Sequence, residues 1–201
     1  MSAAVFLVDD DPSVLKALAR LVTAVGYDAR PYPSPESFLA KHDPDVPGCA
    51  VLDVSMPGLN GLELQRVLKG AQGAIRPVIF ITGLGDVPTS VRAMKEGAVD
   101  FLTKPVDEAA LLSAIETAIA RDRQARHDQD EANELAARYG MLTAREREVL
   151  AHVVAGQLNK QIAADLGVAE KTIKLHRGRV MTKMKVRSVA ELVRISARLG
   201  L

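Results

Sequence analysis

The sequence Val51-Leu52-Asp53-Val54-Ser55-Met56-Pro57-Gly58 joins an apolar run to a single carboxylate and then to a Pro-Gly turn. In a parallel α/β sheet, this order places Asp53 at the carboxyl end of a buried strand, where such folds hold their functional groups. Asp also ends many strands only because it favours turns. The significance of Asp53 therefore depends on what the rest of the chain brings to the same edge of the sheet.

Strand-like and amphipathic segments alternate throughout residues 1–120. A proline after Asp11 indicates a capped helix start, and apolar residues then recur at helical spacing. Five strands alternating with five helices predict an α/β fold with a doubly wound parallel sheet, in the flavodoxin-like order 2-1-3-4-5. The predicted strands cover residues 3–8, 28–33, 48–53, 77–82 and 99–102.

Residues 121–140 carry charges of both signs, and no glycine or proline interrupts them before the last position. We expect the fifth helix to continue through this segment as an exposed, semi-rigid linker. Two i,i+4 ion pairs are predicted along it, Arg126 with Asp130 and Glu134 with Arg138, each worth about 0.2–0.5 kcal/mol. A narrow row of small apolar residues, mostly alanine, runs along this helix. Two alternatives therefore remain, a solvated linker helix and a coiled coil.

The net charge of +1 conceals an asymmetry. Residues 1–120 contain 10 Lys/Arg and 15 Asp/Glu, whereas residues 141–201 contain 12 Lys/Arg and 5 Asp/Glu. An acidic first domain joined to a basic last one indicates a nucleic-acid-binding tail domain. The sequence contains no long apolar run, so we expect no membrane-spanning helix. Its first residues do not include a basic leader, so we expect no secretory signal. The single cysteine, Cys49, fits a reducing cytoplasm.

Residues 141–201 predict an all-α domain of four helices. Thr143 and Glu146 form a capping box at the first, and a turn at Gly167 separates the second from the third, which is the spacing of a helix-turn-helix. One face of the third helix is apolar and would lie in the core, at Ile173, Val180 and Met184. The opposite face would dock in the major groove and carries Lys171, Lys174, Leu175, Gly178, Thr182 and Lys185, with Arg179 on its flank.

Polar side chains end four of the predicted strands. Because these carboxyl ends meet at one edge of a parallel sheet, the side chains should line one crevice. Crowded carboxylates repel one another unless a cation neutralises them, and a set of oxygen ligands without His or Cys favours Mg²⁺ or a similar ion. The residues concerned are Asp9, Asp10, Asp53, Thr82 and Lys104.

These residues resemble, in order and spacing, the motif set of a two-component receiver domain over residues 1–120. The resemblance implies that Asp53 accepts a phosphoryl group from a sensor histidine kinase. It also implies that Asp10 and Asp53, with Asp9 beside them and the Ser55 carbonyl, bind Mg²⁺. Thr82 and Lys104 would contact the phosphate, Thr82 and Phe101 would be the switch pair, and residues 87–115 would present a dimerisation surface.

Residues 141–201 resemble the LuxR-type DNA-binding domain through the runs 142–150, 159–163 and 171–177. The whole chain is therefore similar to response regulators of the NarL/FixJ class, nearest to the FixJ type. Two departures are expected to matter: Ala169 replaces a hydroxyl N-cap, and Gly178 removes a base-contacting side chain and lowers helix propensity by roughly 1 kcal/mol. The DNA contacts expected are Lys160, Lys171, Thr172, Lys174, Leu175 and Arg179.

The sequence thus predicts a phosphorylation-switched, cytoplasmic transcription regulator, with receiver 1–120, linker 121–140 and DNA-binding domain 141–201. Its partners would be a sensor histidine kinase, double-stranded DNA and, once phosphorylated, a second copy of the chain. It would be no enzyme beyond its own phosphorylation and dephosphorylation. Two alternatives remain open, an Asp-nucleophile phosphohydrolase that uses Mg²⁺ and a phosphorylation-gated module that binds protein.

Overall fold

A computed structural model of the chain describes residues 3–70, 76–83 and 87–201. The chain divides into two compact units, Met1–His127 and Asp128–Leu201. Among the described residues, no helix combines the length and the apolar character that crossing a lipid bilayer requires.

The first unit is an α/β fold around a five-stranded sheet. Its strands are β1 (Ala4–Val8), β2 (Asp28–Tyr32), β3 (Gly48–Asp53), β4 (Val78–Thr82) and β5 (Asp100–Thr103). Its helices are α1 (Pro12–Ala24), α2 (Pro35–Lys41), α3 (Gly61–Gly70), α4 (Val87–Lys95) and α5 (Glu108–Gly140), the last of which continues into the second unit. All neighbouring strands pair in parallel in the order β2-β1-β3-β4-β5, which confirms the predicted doubly wound sheet.

The register of the sheet brings the predicted site together. Val8 lies opposite Leu52 and Asp53 lies opposite Ile81, so β1, β3 and β4 end at the same edge. All residues of β3 and β4 are buried, because each face of the sheet packs against its own apolar core beneath the helices. A buried central strand with one carboxylate at its end therefore projects that carboxylate into the crevice above the sheet.

The beginning of the predicted linker, which lies within α5, is less exposed than expected. Arg126 does not pair with Asp130: its Nε lies 2.9 Å from Asp122 Oδ2, and its terminal nitrogens donate to the carbonyl oxygens of Pro44 and Asp45. The Asp122 side chain is buried and also accepts a hydrogen bond from the backbone N–H of Gly48, the first residue of β3. A guanidinium that hydrogen-bonds to a buried carboxylate and to several carbonyl oxygens at once stabilises the fold more than an exposed ion pair does.

The second unit contains the end of α5 and four further helices among its residues. These are α6 (Ala144–Val154), α7 (Asn159–Asp165), α8 (Glu170–Lys183) and α9 (Val189–Arg198). Ile173, Val180 and Met184 are buried, as the spacing of apolar residues on α8 predicted. The pair Glu134–Arg138 forms at 2.6 Å, which confirms the second of the two ion pairs predicted along α5.

The predicted capping box at the start of α6 is present, and Glu146 has a further role in packing. The Thr143 hydroxyl accepts the Glu146 N–H, and the Glu146 carboxylate accepts the Thr143 N–H at 2.9 Å. The same carboxylate accepts from the Lys183 ammonium at 2.6 Å, although Glu146 is buried. One acidic side chain thus fastens the start of α6 to the end of α8.

Candidate functional site

Three carboxylates meet at the carboxyl edge of the sheet in the first unit. Asp9 and Asp10 follow β1 and Asp53 ends β3, and one oxygen from each lies within 4.8 Å of the others. Asp9 is fully buried and Asp53 is almost so, whereas Asp10 is exposed. This arrangement confines the negative charge to a small volume with one open side.

Lys104, which follows β5, supplies the cation facing these carboxylates. Its ammonium donates a hydrogen bond to Asp9 Oδ2 at 2.7 Å and lies 3.4 Å from Asp53 Oδ1. The Lys104 backbone N–H donates to the Thr82 carbonyl at 2.7 Å, so the end of β4 positions the lysine. Burial lowers the pKa of the ammonium, but the hydrogen bond to Asp9 and the two negative charges outweigh burial and leave the pKa above its ordinary value.

The environment of Asp53 differs from that of an ordinary ion-paired carboxylate. Burial raises the pKa of Asp53 above its usual range, the Lys104 charge opposes this shift, and the Asp9 charge adds to it. Its Oδ1 is buried and has no aligned hydrogen-bond partner within the described ranges. A buried oxygen of this kind is ready to accept a bond from an incoming group.

The remaining predicted residues of the acidic site lie on strands of the same sheet or directly after them. Thr82 is buried at the end of β4, and Ser55 is exposed two residues after Asp53. Phe101 on β5 is half-buried, with its ring centroid 6.3 Å from that of Phe80. The structure therefore brings the carboxylates, Lys104 and Thr82 together at one edge, with Phe101 lying further back along β5.

The carboxylate cluster fits a hard divalent cation. Three carboxylates within coordination range supply oxygen ligands, and one of them, Asp10, is exposed to solvent, so water could complete the coordination of a bound ion. Oδ1 of Asp53, whose contact with the Lys104 ammonium is long at 3.4 Å, is the atom available to such a cation or to an incoming phosphoryl group. The chemistry of the donors favours Mg²⁺ over zinc, since the cluster contains no nitrogen or sulfur ligand.

In the second unit, α7, a turn at Gly167 and α8 form the predicted helix-turn-helix. Gly167 has a φ of +64°, which closes α7 in the left-handed conformation that glycine adopts readily. Ala169 precedes α8 in an extended conformation without a side-chain cap, as expected. Arg177 on α8 donates to Asn159 Oδ1 at 2.9 Å and so ties the second helix to the start of the first.

The predicted DNA contacts lie on one side of this pair of helices. Thr172 is half-buried in the first turn of α8, and its N–H donates to the Ala169 carbonyl at 2.9 Å. The other five are exposed, which leaves their side chains available to a ligand: Lys160, Lys171, Lys174, Leu175 and Arg179.

Sequence reasoning missed the long-range partners that position these sites. Asp122, Arg177 and Lys183 are charged residues on helices, and charged residues at such positions are usually solvated. Each forms a specific hydrogen bond to a residue at least 18 positions away. No local pattern marks them, because their partners become neighbours only when the helices pack.

Two family models cover most of the chain. Residues 5–116 match the response regulator receiver domain, and residues 140–196 match the luxR family of bacterial regulatory proteins. The first match contains every residue of the acidic crevice, and the second contains the whole helix-turn-helix.

The relatives are similar over nearly their whole length. Nodulation protein W of Bradyrhizobium diazoefficiens is 46% identical over 199 residues, which cover 99% of this chain and 87% of that protein. The transcriptional regulatory protein FixJ of Rhizobium meliloti is 46% identical over 193 residues, covering 96% and 94% respectively. Among solved structures, the response regulator StyR aligns with a TM-score of 0.89 at 42% identity, over 98% of this chain and 100% of that one.

Proposed function

The chain belongs to the response regulators that join a receiver domain to a LuxR-type DNA-binding domain, and on this premise we propose that Asp53 is its phosphoryl acceptor. Proteins of this family are transcription regulators, and phosphoryl transfer and dimerisation are typical of them. The receiver domain implies a histidine kinase as partner, and the second domain implies DNA. The observation that carries the proposal is the buried Oδ1 of Asp53, which lies 3.4 Å from the Lys104 ammonium and has no closely aligned donor among the described residues.

In the proposed reaction, Asp53 Oδ1 attacks the phosphorus of a phosphohistidine. The new phosphorus–oxygen bond forms as the phosphorus–nitrogen bond breaks, and the electron pair of that bond returns to the imidazole. Such transfers depend mainly on positioning and on neutralising the charge of the equatorial oxygens. Lys104 is close enough to meet one of these oxygens, and the Thr82 hydroxyl, at the end of the neighbouring strand, would meet another.

Mg²⁺ is the cofactor that we assign to the carboxylate cluster. When bound, it supplies positive charge that binds the phosphoryl oxygens and reduces repulsion between the carboxylates. Asp10 and Asp53 would hold it with the Ser55 carbonyl. Asp9, whose oxygens already accept from Lys104 and from the Asp11 N–H, would act mainly by fixing the lysine.

We assign dimerisation to the face built from α4, β5 and the start of α5, residues 87–115. Three apolar side chains of α4 are exposed in the single chain, with Val87 74% accessible, Val91 45% and Met94 46%. Exposed apolar side chains grouped on one helix are typical of a protein–protein interface. Phosphorylation of Asp53, through Thr82 and Phe101, would shift an existing equilibrium toward the paired receiver.

The dimer would bring two DNA-binding domains to adjacent half-sites about one helical turn apart. We propose that the protein acts in the cytoplasm, where the DNA of a bacterial cell lies. The two alternative functions lose support here, because the family regulates transcription and because Ser55 replaces the acidic residue that a phosphohydrolase of the Asp-nucleophile type would need two positions after Asp53.

Phosphorylation with acetyl phosphate in the presence of Mg²⁺ tests the acceptor. We expect one phosphoryl group per chain, located at Asp53 by mass spectrometry after borohydride trapping, and none in Asp53→Asn. Asp130→Asn, at an exposed position of α5, is the matched control and should label like the parent. Unchanged labelling of Asp53→Asn would refute the assignment.

A further inference from the structure

The exposed face of α8 carries a gap between its side chains. A shallow cavity of about 360 Å³ opens there, with mostly apolar walls. It is lined by Lys174, Leu175, Gly178, Arg179, Thr182 and Lys183. The cavity lies on the face that we assign to the major groove, so its shape bears on which bases α8 can accept.

The missing side chain of Gly178 leaves this cavity open. Neither the backbone conformation nor the packing of the free protein requires a glycine at this position. Its φ is not among the positive values, so the backbone is that of an ordinary helical residue. No atom of the described structure lies within 4 Å of the position that a Cβ would occupy. Glycine in the interior of a helix is destabilising relative to alanine. Neither the backbone nor the packing of the free unit accounts for Gly178, whereas a ligand that fills the space would.

The walls of the cavity select against a polar occupant. Leu175, one turn before Gly178, is 54% exposed and presents its side chain to solvent. The Thr182 hydroxyl donates to the Gly178 carbonyl at 3.0 Å, so this polar group is already paired within the helix. The Lys183 ammonium is held by Glu146 at 2.6 Å. The floor of the cavity therefore presents mainly apolar atoms to an incoming group.

The rim of the cavity is cationic, which identifies the ligand as a polyanion. Lys174 and Arg179 are exposed at its edge, in a domain where basic residues outnumber acidic ones 12 to 5. In the major groove of duplex DNA, only thymine among the four bases presents an apolar group, its C5-methyl, to a protein. Within this cavity, the apolar surface at Leu175 and Gly178 is complementary to that methyl group, and the cations at its edge are complementary to the phosphates that flank the groove.

We infer that Leu175 and the space at Gly178 accept the C5-methyl group of one thymine in each half-site, so that both residues determine base specificity. This inference rests on the major-groove docking proposed above and specifies what that docking reads. The side chain that would hydrogen-bond a base from position 178 is absent. The preference at this base pair therefore comes from burial of the methyl group and not from a donor–acceptor pair.

The test uses the full-length protein, with and without acetyl phosphate and Mg²⁺, and duplexes selected by it from a random pool. Each thymine of the selected site is then replaced singly by deoxyuridine, which lacks only the methyl group. At one position per half-site we expect affinity to fall about four-fold, the equivalent of about 0.8 kcal/mol for one buried methyl-sized group. At the same position, 5-methylcytosine should bind more tightly than cytosine.

Two variants assign the effect to the cavity. Leu175→Ala should lose the difference between thymine and deoxyuridine while retaining salt-dependent binding to duplex. Gly178→Ala should lose the same difference, because its methyl group occupies the cavity, although the free protein becomes more stable. Gly140→Ala, also at a position with open space around the Cβ, is the matched control for helix stabilisation and should keep the difference.

The possible results separate this inference from the function on which it rests. Binding that depends on salt but is unaffected by deoxyuridine at every thymine would overturn the inference and leave DNA binding intact. A methyl effect that persists in both Leu175→Ala and Gly178→Ala would also overturn it. Failure to bind any duplex would instead refute the docking of α8 in the major groove and with it this inference, and would leave the assignment of Asp53 to its own test.

Discussion

The Asp122 carboxylate on α5 accepts a hydrogen bond from the backbone N–H of Gly48 at 2.9 Å, joining residues 74 positions apart. Gly48 begins β3 with a φ of +150°, and a Cβ there would lie only 1.8 Å from the Ala4 carbonyl oxygen. The strand that carries Asp53 is thus closely paired at its first residue and anchored there by α5. The same carboxylate holds Arg126, which covers the carbonyl groups of the loop before β3.

Replacing Asp122 with Ala should destabilise the first unit by about 1–3 kcal/mol, because it leaves the Gly48 N–H and the Arg126 guanidinium without their buried acceptor. The loss is measurable by urea denaturation, and hydrogen exchange should increase in the part of α5 within this unit and in the loop before β3. Asp130→Ala, on the exposed side of α5, is the control. Equal stability of the two variants would show that the carboxylate contributes nothing.

Lys104→Ala should slow phosphorylation by acetyl phosphate roughly 10–100-fold, since it removes an ammonium that pairs with both Asp9 and Asp53. Initial rates of acetyl phosphate consumption at saturating Mg²⁺ measure this effect. Lys16→Ala removes an exposed lysine from α1 and should leave the rate unchanged. A rate within two-fold of the parent for Lys104→Ala would exclude a role for the ammonium in the transfer.

Val91→Asp should prevent phosphorylation-dependent pairing without unfolding the receiver, because the side chain is already 45% exposed. A charge there would have to be desolvated in an interface. Sedimentation equilibrium before and after acetyl phosphate treatment reports the association. Val67→Asp places the same change on an equally exposed position of α3, outside the proposed face. If both variants pair like the parent, residues 87–115 are not the interface.

Lys174→Ala should weaken DNA binding and reduce the slope of log K against log salt by about one, as expected for a lysine that contacts a phosphate. Fluorescence anisotropy over a series of salt concentrations gives both quantities. The control is Lys16→Ala, which lowers the net charge equally but lies in the other unit. A parallel loss of affinity in the two variants would indicate a non-specific charge effect.

The ion pair between Glu146 and Lys183 should make the second unit sensitive to acid. The Glu146 carboxylate accepts hydrogen bonds from Lys183 and from the Thr143 N–H, and these hold the pKa of Glu146 below its ordinary value of 4.5. The stabilisation is therefore complete above pH 4.5 and is lost as the pH falls through the lower pKa of the folded state. Hydrogen exchange of α6 across this range reports it.

The conservative variant distinguishes this ion pair from other acid-labile contacts. Glu146→Gln retains the capping interaction but carries no charge, so exchange in α6 should become less dependent on pH below 4.5. A pH dependence equal to that of the parent would show that other carboxylates govern the acid response.

The acidic site was predictable because its parts are local patterns repeated along the chain. Each strand is an apolar run with a polar residue at its carboxyl end, and parallel pairing of successive strands places these ends at one edge. Asp9, Asp53, Thr82 and Lys104 therefore came together as expected. The helix-turn-helix was predictable for a similar reason, since the apolar stripe of α8 separates its buried face from its exposed one.

The tertiary structure decided which partner a charged residue takes wherever that residue contacts a second element of the fold. The prediction that Arg126 pairs with Asp130 was wrong: the carbonyl groups of the loop before β3 place the guanidinium beside Asp122 instead. The cavity beside Leu175 likewise appears only when the helix is built and Gly178 leaves its space open. Hydrophobic periodicity is a local property of the chain, whereas the pairing of buried polar groups depends on the unsatisfied donors and acceptors that packing places beside them.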